Sequence, residues 1–273
     1  MISIKNFTKS YGNFKAVDNL SFEVNKGEIV GFVGKNGAGK STTIRSMMNF
    51  INPDSGTITI DGLDSNKDSK KIRSIVSYMT SETVFYENIK VEKLLEFVCE
   101  FSPSTKEDIQ KLAQYFELDL NKKLGDLSLG NKKKVAIISA LLKKAKILIL
   151  DEPTNGLDPL MQNKFFELLL KEKERGATIF LSSHNLSEIE KYCDKVIIIK
   201  DGKLMDYLDM SNVKLKYKQI VSYTTTDGKS ESYEFDKDIN ELIKKLSTLS
   251  LTSLEIKNST VEDEFINYYK GEE

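Results

Sequence analysis

The sequence predicts an α/β protein: a core sheet with helices on both faces, an inserted helical subdomain, and a small C-terminal α+β accessory domain. Three observations carry this. Apolar runs of strand length alternate with amphipathic helical stretches, the pattern of a mostly parallel sheet covered by helices. A block from about 88 to 143 is helical throughout and interrupts that alternation. After about Met210 the texture changes to a hairpin and short helices. The predicted domains are therefore 1–210, containing the insertion, and 211–273.

Taken in order, Ile2 to Val33 reads as short strands, with turns at Gly12-Asn13 and Lys26-Gly27. Its last strand, Glu28 to Val33, runs into a glycine-rich loop, and Thr42 to Phe50 follows as a helix. Gly56 to Ile60 alternates apolar and polar residues and is closed by Asp61-Gly62. Within the helical block, Val91, Leu94, Leu95, Val98 and Phe101 share one face. Ser104 with Glu107 has capping-box spacing and opens a second helix carrying Ile109, Leu112 and Phe116. A third helix begins near Gly130. Then come a strand at Ile147 to Leu150, a helix from Pro159 to Arg175 stopped by Gly176, and a strand at Thr178 to Leu181. Val196 to Lys200 and Lys203 to Leu208 form a hairpin about Asp201-Gly202, a favoured tight-turn pair. In the accessory domain, Lys214 to Phe235 reads as a hairpin about Asp227-Gly228, with helices at Asp238 to Leu246 and Val261 to Tyr269.

Composition narrows the function. The 273 residues carry 40 Lys plus Arg and 41 Asp plus Glu, a net charge of -1. A chain that mainly binds nucleic acid usually shows a strongly basic domain, so that class is disfavoured. No apolar run approaches the roughly 18–20 residues of a membrane helix, and the N-terminus carries no apolar signal core. The chain is expected neither to cross a membrane by itself nor to be exported. Its two cysteines, Cys99 and Cys193, lack metal-ligand spacing and fit a reduced cytosolic compartment. The one histidine, His184, excludes multi-histidine zinc sites.

Gly34-Lys35-Asn36-Gly37-Ala38-Gly39-Lys40-Ser41 fits G-x-x-x-x-G-K-S/T, with an apolar strand before it and a helix, opening at Thr42, after it. The glycines let successive backbone N–H groups point at one anion, and the helix adds its positive N-terminal end. Lys40 can reach the β- and γ-phosphates of a nucleoside triphosphate, and the Ser41 hydroxyl can ligate Mg²⁺. This motif alone points to a nucleoside triphosphate and not to a reaction; with the motifs that follow it, the core is predicted to be a P-loop nucleotide hydrolase sheet. A second motif, Ile147 to Leu150 followed by Asp151-Glu152-Pro153, is a buried strand ending in two carboxylates. Neighbouring strand side chains point to opposite sides. Asp151 is assigned to the metal shell and Glu152 to the attacking water as general base.

Leu127-Ser128-Leu129-Gly130-Asn131 precedes that strand. With the two other motifs in this order, residues 1–210 resemble the ATP-binding cassette family, the ATPase subunits of ABC transporters. The family signature is L-S-G-G-Q; Leu129 and Asn131 depart from it, and leucine at the third position is familiar in bacterial export-type subunits. The resemblance implies that Ser128 and Gly130 contact the γ-phosphate of ATP held by a second ATP-binding subunit, homologous or identical, in a head-to-tail pair. It implies that Tyr11 stacks on adenine, that Asp158 in Asn155-Gly156-Leu157-Asp158 communicates across the dimer, and that His184 contacts the γ-phosphate. Asp158 also suits an N-cap before Pro159. The family glutamine that senses Mg²⁺ or water falls at Ser81, which is shorter and can reach Mg²⁺ only through water. Lys132, Lys133 and Lys134 sit in the first turn of the signature helix, where the dipole disfavours cations; their side chains are expected to point into water.

Ser253-Leu254-Glu255 and Val261 to Phe265 look like the C-terminal ending of many bacterial drug, antibiotic and peptide exporter ATPases. The resemblance therefore implies an ATP- and Mg²⁺-dependent subunit that powers a separate integral-membrane subunit from the inner, cytoplasmic face of the cell membrane, without nucleic acid. The apolar pair Phe85-Tyr86 is expected to help line a surface patch for that partner, burial of both rings inside this chain being the alternative. The competing reading is a soluble cassette ATPase acting on ribosomes or DNA; such proteins carry two cassettes per chain or long coiled-coil insertions, neither of which is visible here.

Overall fold

Ile2–Tyr11 (β1) and Phe14–Val24 (β2) pair antiparallel, with Tyr11 opposite Phe14 across the tight turn. After them the computed structural model runs through Ile29–Val33 (β3), Lys40–Met47 (α1), Ser55–Ile60 (β4), Leu63–Asp64 (β5), Ser69–Ile75 (α2) and Val76–Met79 (β6). Next come the inserted helices Val91–Glu100 (α3), Lys106–Tyr115 (α4) and Leu129–Leu142 (α5). The chain returns to the sheet with Ile147–Asp151 (β7), Pro159–Glu174 (α6), Thr178–Ser183 (β8), Leu186–Tyr192 (α7), Lys195–Lys200 (β9) and Lys203–Asp209 (β10). The structure describes residues 1–215, 219–235 and 238–258.

The chain divides into two units, Met1–Leu208 and Asp209–Glu273. In the first, β2-β1-β4-β5 form an antiparallel sheet and β10-β9-β3-β8-β7-β6 a six-stranded sheet. Strands β9, β3, β8, β7 and β6 of the latter are parallel. The period of two along β3 explains how its layers are filled. Val30 and Phe32 face a core shared with the antiparallel sheet and with Ile44 and Met47 of α1. Phe22, Phe32 and Phe180 meet there at ring-centroid distances of 5.3–5.8 Å. The alternate residue, Gly31, faces the other way, where a Cβ would stand 2.8 Å from Ile189 of α7. Glycine at this position lets α7 lie against the strand.

In the second unit, Met210–Leu215 (α8) is followed by Gln219–Thr225 (β11), Ser230–Phe235 (β12), Ile239–Leu246 (α9) and Leu251–Asn258 (β13). The strands form an antiparallel sheet in the order β12-β11-β13. Val221 and Tyr223 pack with Leu242 and Leu246 of α9. The helix expected at Val261 to Tyr269, and with it Val261 to Phe265, lies outside the described residues.

Three local expectations need correction. The second inserted helix is capped by Thr105 and Asp108, which make the reciprocal capping box, rather than by Ser104 and Glu107. Ser104 is buried and donates instead to the Leu142 carbonyl at 2.6 Å. The helix after the glycine-rich loop starts at Lys40 and ends at Met47, two to three residues early, because Gly39 already supplies the turn. Lys133 does not point into water: it is 3% exposed. Strand β6 and helices α2 and α7 were not foreseen. Each is short, and β6 follows α2 without a turn signal between them.

Candidate functional site

The end of β3 sets the site. Gly34 must pass close to β9, where a Cβ would lie 2.4 Å from the Ile199 carbonyl. Gly39, at φ 104, turns the backbone into α1. The glycine-rich loop is held from a distance: the Gly202 N–H, in the turn between β9 and β10, donates to the Ala38 carbonyl at 3.1 Å, and the Asp18 N–H donates to the Gly202 carbonyl at 2.9 Å.

A cavity of about 500 Å³ opens beside this loop. Asn36, Gly37, Gly39, Lys40, Ser41 and Thr42 line one side. Ser81, Glu152 and His184 reach it from β6, β7 and β8 respectively, and Tyr11 from the β1 end. Lys40 is buried; its Nζ donates to the Gly34 carbonyl at 2.6 Å and stands 3.5 Å from Glu152 Oε1. His184 Nδ1 lies 2.8 Å from Glu152 Oε2. Against a carboxylate that nitrogen is the donor, so His184 Nε2 can donate to a further anion only as imidazolium. Glu152 itself sits at φ 48, a left-handed conformation that is uncommon outside glycine and clusters at functional sites.

Asp151 is 1% exposed and is not among the residues that line the cavity. Its Oδ1 accepts from Ser182 Oγ at 2.7 Å, and that Ser182 hydroxyl oxygen in turn accepts the Glu152 N–H at 2.9 Å. One hydroxyl therefore fixes both acids. Sequence reasoning missed Ser182, although serine in the third last place of Thr178 to His184, after an apolar strand, was a usable signal. It also missed Phe14, Lys35, Glu82 and Asn155 in the lining. Phe14 could have been found as the residue facing Tyr11 across the hairpin.

Ser128, Gly130 and Asp158 are not brought into this cavity. Ser128 is the N-cap of α5, its Oγ accepting from the Asn131 N–H, and Asp158 is the N-cap of α6, accepting from the Met161 N–H at 3.0 Å. The two helix starts adjoin: a Cβ on Gly130 would lie 3.0 Å from the Gly156 carbonyl. Gly34 and Ala38 shape the loop without lining the cavity.

A parallel strand running through a glycine-rich turn into a helix, with an acidic strand end two strands away, defines a P-loop nucleotide-binding domain. The ABC transporter family model matches residues 17–155. Over 231 residues the chain is 38% identical to the bacitracin transport ATP-binding protein BcrA of Bacillus licheniformis, covering 83% of this chain and 76% of that one. It is 33% identical over 277 residues to an uncharacterized ABC transporter ATP-binding protein of Methanocaldococcus jannaschii, covering 97% and 98% of the two chains. Among solved structures, the ATP-binding subunit of an ABC transporter matches with TM-score 0.72 and 29% identity, over 79% of this chain and 92% of that one. A dimeric post-hydrolysis ATP-binding cassette bound to ADP and Pi matches with TM-score 0.70 and 25% identity, over 77% and 99%. This chain belongs to the ABC transporter family and is an ATP-binding cassette.

The donors near the phosphate loop fit Mg²⁺. Ser41 and Asp151 offer hard oxygens, and Mg²⁺ typically uses one or two protein oxygens with phosphate and water for the rest. Among the described residues no cluster of three or more His, Cys, Asp or Glu could hold a metal ion.

Proposed function

We propose that this chain is the Mg²⁺-dependent ATPase subunit of a membrane exporter. The observation that carries the reading is the convergence of Lys40, Glu152 and His184 on one phosphate-loop cavity. The α- and β-phosphates lie on the backbone of Gly37 to Ser41, and Tyr11 offers a face for adenine. Ser41 and Asp151 would hold Mg²⁺, with the short Ser81 side chain able to approach it only through a water, and the ion would supply charge neutralisation at the phosphates. Lys40 pairs with Glu152 at 3.5 Å; phosphate oxygens compete for that ammonium. When Lys40 turns to the β- and γ-phosphates, the Glu152 carboxylate is released from that pair and can accept from a water instead. Glu152 takes a proton from the water as its oxygen bonds to the γ-phosphorus and the bond to the β-phosphate oxygen breaks, releasing ADP and phosphate, while His184 faces the charge on the transferring group.

Ser128 and Gly130 complete the site of a second cassette, and Asp158 meets it across the interface. The bacitracin and multidrug transport names of relatives support export. The transport names of these relatives also support work from the inner membrane face on a separate integral-membrane chain; no helix among the described residues is long and apolar enough to cross a membrane. A groove of about 440 Å³ near β6, lined by Met79, Val84, Phe85 and Val98, with Tyr86 exposed beside it, is the seat for that partner. Cargo in the drug, antibiotic or peptide class fits these relatives. The test is crosslinking from position 85 in native membranes together with ATPase assay. An integral-membrane protein is the expected capture; ribosomal proteins in its place would overturn the exporter reading.

A further inference from the structure

The buried lysine of the signature helix has no role in the chemistry above. Lys133 lies five residues into α5, and its Nζ donates to the Ser81 carbonyl at 2.8 Å. Burial pushes its pKa down, and the charges of Asp151 and Glu152 oppose that fall. An ammonium is costly to bury unless its position is fixed by partners, so its place here calls for a reason.

The rest of α5 shows what the bond belongs to. Ten residues further on, Lys143 Nζ donates to the carbonyls of Arg73 at 2.5 Å and Val76 at 2.7 Å. Between them, Ser77 Oγ donates to the Ala140 carbonyl at 2.8 Å. Ten helical residues span about 15 Å. The five residue steps from Val76 to Ser81 span about 16 Å when extended. The lengths match and the directions are opposite, so α5 is pinned along β6 at its start, middle and exit. Only the exit pin touches the nucleotide cavity, because Ser81 and Glu82 line it. The Ser81 side chain is short, and its segment is located from outside, through the backbone.

We propose that Lys133 is a positioning residue for ATP hydrolysis: its hydrogen bond to the Ser81 carbonyl holds the Ser81-Glu82 segment against the nucleotide cavity and makes that segment follow helix α5. The helix starts at Ser128 and Gly130, so a load on that end is carried along a rigid strut to the cavity wall. This inference rests on the ATPase reading. Lys143 is the internal comparison, since it makes the same kind of bond at the end of β6 remote from the cavity.

The test compares full-length wild type, Lys133→Met, Lys133→Arg and Lys143→Met for kcat, KM for ATP and thermal melting. Lys133→Met is expected to lower kcat by about tenfold or more while KM stays within about threefold, and Lys133→Arg to restore most of kcat. Lys143→Met is expected to melt as early as Lys133→Met yet keep kcat within about twofold. A Lys133→Met enzyme with wild-type kcat overturns the proposal, as does a parallel loss of kcat and melting temperature in both methionine variants. Should Lys133→Met not fold, Lys133→Gln, which falls short of the carbonyl, carries the same expectation. In that variant the amides of residues 80–87 should exchange hydrogen faster than in wild type, with α5 protection unchanged; unaltered exchange overturns the proposal. A wild type without ATPase activity overturns the ATPase reading and this inference with it, whereas an active wild type beside an unaffected Lys133→Met overturns this inference alone.

Discussion

Replacing Ser182 by alanine removes one oxygen and two hydrogen bonds. The hydroxyl is fully buried, donates to Asp151 Oδ1 at 2.7 Å and accepts the Glu152 N–H at 2.9 Å. A hydrogen bond to a charged group contributes about 1.5–3 kcal/mol, and a buried N–H left unpaired costs about 1–3 kcal/mol. Serine to alanine leaves almost no cavity, so these terms dominate, and the expected loss is about 3 kcal/mol. That is a large share of the roughly 5–15 kcal/mol that holds a domain folded. The same substitution frees Asp151 to rotate and relaxes the left-handed backbone at Glu152. A misplaced catalytic group costs rate steeply, so kcat should fall by about tenfold or more, while binding through the phosphate loop persists. Urea denaturation of the isolated protein measures the first effect and steady-state ATPase the second. A stability loss under about 1 kcal/mol would refute the claim that this hydroxyl fixes the two acids.

Other outcomes follow from the same geometry. Glu152→Gln should abolish turnover but keep ATP binding, so that ATP holds two cassettes together in sedimentation; an active variant removes Glu152 from the role of base. Lys40→Ala should weaken nucleotide affinity sharply, and calorimetry with wild-type affinity would undo the phosphate-loop assignment. Ser81→Ala should lower ATPase by less than about tenfold, about 1.4 kcal/mol of barrier, and His184→Ala by much more; the reverse order would make the serine a direct ligand. Burial pushes the Glu188 carboxyl above its ordinary value, against the Thr154 hydrogen bond, and its Oε1 is buried without a partner. A raised native pKa gives stability that is complete below the unfolded value and is lost as pH rises through the native one. Glu188→Gln, which keeps an acceptor for Thr154, should therefore melt later than wild type near pH 8, with the gain shrinking toward pH 5.

Much of the site could be read in the chain because its parts are local. Gly34 to Ser41 states its own conformation, and Asp151-Glu152 announces a strand end. What escaped depends on neighbours distant in sequence. Ser182 matters because β8 lies beside β7, a pairing no short pattern contains. Lys133 looked like a solvated lysine because the carbonyl that receives it belongs to residue 81. The capping box moved by one residue because Ser104 found a better acceptor in Leu142, a tertiary bond that outweighs local spacing. Strand β6 was overlooked because Val76–Met79 is only four residues long and passes directly out of a helix.

The neighbours of β3 also fix a schedule. Residues 29–33 pair with β8 on one edge and β9 on the other, and the loop after them is tied down by Gly202. The phosphate loop thus leaves the ribosome about 160 residues before its supports exist. At roughly 5–20 residues per second, it waits on the order of 10–30 seconds during synthesis. For most of that interval, until β8 is made, the glycines that later hold phosphate are unanchored chain and the apolar strand before them has no partner on either edge. ATP affinity should therefore appear abruptly with chain length: nascent chains halted before β8 should bind no ATP, and chains halted after β10 has emerged should bind it fully. A gradual rise would mean that the loop can shape itself without its late-made neighbours.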